Sequence, residues 1–308
     1  MQRDEGHRFF DHFPVNEFFN SHKAITLIGG FERNGDITTV IAFGSPTSRQ
    51  NATFTYHFTM PTAELLVLVA VFFLTSIVSV VTGSTSLITV PVMIAFGMEP
   101  HIAIATNMLA LTFMSVGGSV PFVRSSAIRR NFLPMSILLT VVGSGLGAMI
   151  LLTVPLRALQ LTIAVAMIAV TIFTLARRDL GLSTSEKPVS RSAVLTGYVL
   201  TLLLAVYGGF FSGGYVTMLT ASFVVFFGMT FLQGVATTKV INVFSSAVAT
   251  AVFLWRGIVD IKLGIVLGIA MFLGALLGGR IALKLHPVWL RRIFITAVLG
   301  LAIKMLFG

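Results

Sequence analysis

The chain has 308 residues, 56% of them hydrophobic and 10% charged, with a net charge of +10 and a mean hydropathy of +0.95. A soluble domain is about a quarter charged, so this composition excludes an ordinary globular protein and indicates a polytopic membrane protein. The positive charge does not point to nucleic acid, because the basic residues fall in short gaps between apolar runs; with no cysteine, disulfides, thiolate metal sites and a cysteine nucleophile are excluded too.

Residues 1–59 differ from everything after them. They hold six acids (Asp4, Glu5, Asp11, Glu17, Glu32, Asp36), five Lys/Arg and four of the six His. No apolar run of signal-peptide or span length occurs there. At 59 residues they could fold alone only marginally, and TFTYHFT at their end is strand-like but without partners. The expectation is a polar, disordered N-terminal extension or an upstream segment preceding a working start at Met60. The other reading is a soluble extension that regulates the rest.

From Met60 onward the chain reads as spans, each needing about 20 apolar residues. Long ones are expected at 62–82, 101–123, 132–153, 156–176, 193–212, 231–255, 262–283 and 287–307. Two shorter runs, SLITVPVMIAFG from Ser86 and YVTMLTASFVVFFG from Tyr215, lie between them. Each follows a Gly/Ser break, TGSTS at 82–86 and GGFFSGG at 208–214.

The chain also repeats itself. FGMEPHIAIATN (96–107) aligns with FGMTFLQGVATT (227–238) at an offset of 131, which also pairs Gly143 with Gly274 and Gly147 with Gly278. Two homologous halves follow: 60–178 and 193–308, joined by a cytoplasmic linker at 179–192. If the short runs are re-entrant, each half has four spans and the halves are parallel. If they cross, each has five and the halves are inverted. Crossing gathers Arg124, Arg129, Arg130, Arg177, Arg178, Lys187, Arg191, Arg280, Lys284, Arg291 and Arg292 on one side, so the positive-inside rule favours it. The expected fold is an all-α membrane protein of about ten transmembrane helices, in two inverted repeats of five with a short broken helix in each.

Lys239 stands about 12 Å into its span, where a charge is costly. Snorkelling to the interface would be one explanation; an anion site is the other. Thr237, Thr238 and Asn242 are polar neighbours, and Thr106 and Asn107 are the repeat counterparts of the two threonines. Met108 is the counterpart of Lys239. Threonine and asparagine also serve as hydrogen-bond glue between helices. The breaks, with Ser84, Thr85 and Ser86 in the first and Ser212, Gly213 and Gly214 in the second, can expose helix N-termini to an anion or simply allow close packing. GSGLG (143–147) and GALLGG (274–279) read as packing faces. The acids after Met60 (Glu64, Glu99, Asp179, Glu186, Asp260) all lie at span ends or in loops, so a buried carboxylate relay is not expected. His101, at the mouth of its span, is the one titratable alternative. No P-loop, HExxH or GxSxG motif occurs, so an enzyme is not expected.

The Gly/Ser break, the short helix TVPVMIAFG, the ATN motif opening the next span and a second copy ending GALLGGRIALKL…WLRRIF together resemble the TauE/SafE family of sulfite-exporter-like permeases. The resemblance covers about 62–306. It implies transport of sulfite, a sulfonate or a related sulfur acid, usually outward, with no cofactor, in the cell (inner) membrane. The first break, GSTS, departs from the family's glycine run, and Ser222 stands where the second short helix would carry a proline. The function expected is a secondary transporter of a small anion, held by Lys239, with hydrogen bonds from Thr106, Asn107, Thr237, Thr238 and Asn242 and backbone N–H groups from the breaks. Protons would ride on the substrate as bisulfite. Other partners are membrane lipid and, compatibly, a second copy of the chain. A passive anion channel and a non-transporting assembly or sensor protein are the alternatives.

Overall fold

A computed structural model describes residues 26–33, 36–43, 61–83, 85–123, 125, 127–155, 158–159 and 189–284. The expected spans 156–176 and 287–307, the linker, Ser84 and the run TFTYHFT lie wholly or mostly outside these residues. Within 1–59, β1 (Thr26–Arg33) pairs antiparallel with β2 (Asp36–Phe43), Thr26 opposite Phe43 and Arg33 opposite Asp36. A lone two-stranded hairpin is marginal in water.

From Pro61 on, every regular element among the described residues is helical. In order they are α1 (Thr62–Thr82), α2 (Ser86–Ala95), α3 (Pro100–Val123), α4 (Leu133–Leu151), α5 (Arg191–Phe210), α6 (Tyr215–Phe226), α7 (Phe231–Trp255) and α8 (Ile261–Lys284). Six are long and apolar enough to cross a membrane, and α2 and α6 are not. Each boundary has a local cause. Thr230 and Gln233 close a reciprocal capping box on α7. Asp260 accepts the Leu263 amide to open α8, and Glu99 accepts the Ile102 amide to open α3. Gly83, at φ 71°, ends α1 in the left-handed region where a side chain would be strained.

The packing repeats as the sequence does. α1 lies along α8, and α5 along α4; α3 meets α8, and α7 meets α4. The glycine faces make these contacts close. Gly274 and Gly278 sit against the backbone of Phe73 and Ile77 in α1. Gly143 and Gly147 sit against the backbone of Leu202 and Val206 in α5. The expected packing faces are therefore packing faces. Outward rows such as Leu138, Val142 and Leu146 on α4 and Ile269, Leu273 and Leu277 on α8 stay exposed, as a lipid-facing surface requires.

The most enclosed long helices are α3 and α7, which cross at the centre. They run antiparallel. Thr106, early in α3, accepts the amide of Asp260 beyond the end of α7 at 3.0 Å. Thr237, early in α7, accepts the amide of Arg129 beyond the end of α3 at 3.3 Å. Both partners of the second bond lie 131 residues after their counterparts in the first. The loop after α3 thus marks one face of the bundle, and the loop after α7 the opposite face.

Candidate functional site at the two helix breaks

α2 and α6 each cover only part of the bundle's depth, and their N-termini meet. A Cβ on Gly83 would stand 2.8 Å from the amide nitrogen of Thr217, and one on Gly213 2.6 Å from the side chain of Leu87. The first break therefore abuts the start of α6, and the second abuts the start of α2. Both short helices lack a side-chain N-cap, and Gly214 starts α6 at φ 77°. Two positive dipole ends converge on one buried place, an arrangement suited to negative charge.

Each short helix is tied to the long helix that follows it. Asn107 donates to Ser86 Oγ at 3.0 Å and accepts from Thr89 at 2.8 Å. Thr238, its counterpart, accepts from Thr220 at 3.3 Å. Thr85 donates to the Met114 sulfur at 3.4 Å. Tyr207 donates to the Gly213 carbonyl, which steadies the second break, and Ser212 is held at φ 66°.

Lys239 is 1% exposed. Its Nζ donates to the Ser79 carbonyl at 2.9 Å, one turn before Gly83, while its stem passes Gly118. The side chain reaches α1, not a surface, so snorkelling does not describe it. Asn242, one turn on, donates to Ser115 of α3 at 2.6 Å.

Thr85, Asn107, Ser212, Gly213, Gly214 and Lys239 thus gather around the breaks, as expected of a site. Thr106 and Thr237 do not; they sit toward opposite faces and bind loop backbone. Thr238 and Asn242 join helices. His101 stands between Glu99 at 2.7 Å and the Val154 carbonyl at 3.0 Å, tying α3 to the end of α4. Among the described residues no group of His, Cys, Asp or Glu could hold a metal. Sequence reasoning missed Ser79, Thr89, Ser115, Tyr215 and Thr220. Thr89 and Thr220 were discoverable, since they too are 131 residues apart.

The profile of a family described as "Sulfite exporter TauE/SafE" matches residues 68–305. The chain belongs to that family. Relatives similar to this TauE/SafE chain include "Probable membrane transporter protein ORF9" of Sinorhizobium sp., 28% identical over 76% of this chain and 89% of the relative. Another, "Probable membrane transporter protein" of Haemophilus influenzae, is 25% identical over 79% of this chain and 94% of its own length. A third, "Probable membrane transporter protein YfcA" of Escherichia coli, is 26% identical over 83% and 94%. No solved structure matches. The chain is accordingly a multi-pass membrane protein of a transporter family, which binds and moves a small molecule.

Proposed function

We propose that the chain is a secondary transporter of a small anion, sulfite or an organosulfonate, in the cell's inner membrane. The observation that carries this is the meeting of the α2 and α6 N-termini one turn from the Lys239 ammonium. Positive potential from two helix ends and one side chain, with no carboxylate among the described residues at that depth, suits an oxyanion and repels a cation. Thr85, the unwound backbone at Gly213 and Gly214 and, on the sequence reading, Ser84 would donate to the oxyanion. Asn107 and Thr238 would hold the short helices in place. Lys239 would leave Ser79 for the substrate, so binding would loosen α7 from α1.

The fold accompanying this function is ten spans in two inverted repeats of five. The antiparallel α3–α7 crossing supports it, and so does charge. Arg129, Arg130, Arg191, Arg280 and Lys284 fall toward the face marked by the loop after α3, and Arg256 and Lys262 toward the other. The first face is then cytoplasmic. Trp255, with the Arg256 guanidinium 4.8 Å from its ring, suits an interface anchor on the outer face. Alternating access would be one repeat rocking against the other, with protons carried on bisulfite.

The test is flux of radiolabelled sulfite and a panel of sulfonates in proteoliposomes. The wild type should saturate and show counterflow. Lys239→Met, copying Met108, should abolish flux with expression intact. Unimpaired flux in that variant would remove the site.

A further inference from the structure

The two breaks are related by the repeat but differ in chemistry. At the end of α1 the Lys239 ammonium rests on the Ser79 carbonyl, a positive charge against the negative pole of that helix. The glycine contacts fix which residue of α5 corresponds. Phe73 and Ile77 of α1 match Leu202 and Val206 of α5, so Ser79 matches Gly208. The counterpart of Lys239 is Met108, which brings no ammonium to the end of α5.

Hydroxyls gather there instead. Ser144 of α4 donates to the Ala205 carbonyl at 3.2 Å and lies 2.6 Å from Ser245 of α7. The Tyr215 ring lies on Gly208, and its hydroxyl faces Thr140 and Ser245. Thr140 Oγ1 and the Tyr215 hydroxyl are buried without a well-formed hydrogen bond. Such atoms call for a partner. The amides of Phe211 and Ser212 both turn to the Tyr207 carbonyl, and no turn hydrogen bond reaches the carbonyls of Gly208, Gly209 or Phe210. The place is rich in uncharged oxygen at the negative end of a broken helix. Divalent cations would want carboxylates, and none lies here.

We propose that a monovalent cation, sodium, binds among Thr140, Ser144, Tyr215 and Ser245 at the end of α5. It occupies the position that Lys239 fills permanently at the end of α1. One helix break then carries a built-in cation and the other an exchangeable one, and sodium binding biases the second break as Lys239 biases the first.

The test needs no transport substrate, so it stands or falls separately from the anion reading. The purified full chain is melted in sodium chloride and in N-methylglucamine chloride at equal ionic strength. Sodium should raise the melting temperature saturably. Thr140→Val and Ser245→Ala should each raise the half-saturating sodium concentration by about tenfold. Met108→Lys, placing an ammonium in the matching position, should remove the sodium response and raise the melting temperature without sodium. If that variant fails to fold, the two hydroxyl variants decide. Equal melting in both salts, as a buried water in the cluster would give, overturns the proposal. So does an unchanged sodium response in both hydroxyl variants.

Discussion

A lysine inside a span is the clearest residue in this sequence, because nothing else charged stands at that depth. What the sequence could not give was its partner. Ser79 is one of several serines in the apolar part of α1, and only the folded chain places its carbonyl 2.9 Å from Lys239 Nζ. That carbonyl also accepts the Gly83 amide, so Lys239→Met leaves no orphaned acceptor and tests function more than stability. Asn107 behaves oppositely. Its amide holds both Ser86 and Thr89, so Asn107→Leu strands two buried hydroxyls in the first turn of α2. We expect that variant to lose about 1–3 kcal/mol of stability, read by thermal unfolding in detergent, and to lose sulfite affinity. Tyr215 was unreadable in sequence for a simple physical reason. A tyrosine in an apolar run has meaning only once the helices facing its hydroxyl are known.

Helices were more legible than residues. The span expected at 62–82 is α1 (Thr62–Thr82), and that at 231–255 is α7 (Phe231–Trp255); other described ends shift by a few residues. Membrane spans show in sequence because every backbone group must be satisfied within the segment, which forces long uninterrupted apolar runs. The pairing of helices does not show, since it depends on where small residues let backbones approach. The offset of 131 gave the repeat but not its consequence at Thr106 and Thr237. Those two threonines fasten opposite faces of the α3–α7 crossing, each to the loop beyond the other helix. Under alternating access the two bonds cannot both persist. Thr237→Val should release the face marked by Arg129 and favour the state open there; Thr106→Val should favour the state open near Asp260. The readout is the labelling rate of a cysteine placed at Thr85 by a small impermeant thiol reagent from each side of the membrane. Equal rates in both variants would reduce the threonines to helix glue.

At the scale of the whole molecule, the family match begins at residue 68 and leaves 1–59 outside, so a chain beginning at Met60 should insert and transport sulfite as the full chain does. Orientation is the larger matter. If the repeats were parallel, the loops after α3 and α7, which correspond in the repeat, would lie on one side of the membrane. Antiparallel α3 and α7 put them on opposite sides. Arg130 and Arg256 are exposed residues in or next to those loops, and the chain has no native cysteine to confuse labelling. Gly257 would be a poor choice beside Arg256, because its φ of 69° disfavours a side chain. Arg130→Cys should therefore react with an impermeant maleimide only when the cytoplasmic face is open to the reagent, and Arg191→Cys should follow it. Arg256→Cys and Thr153→Cys should react from outside in intact cells. The pairs test one another, since Thr153 follows α4 and must lie across the membrane from Arg130 if α4 spans. Arg130→Cys and Arg256→Cys reacting from the same side would restore parallel halves, and with them four spans each. It would also separate the two short-helix N-termini from any common two-fold axis in the membrane plane, and the anion site between them would lose its symmetry argument.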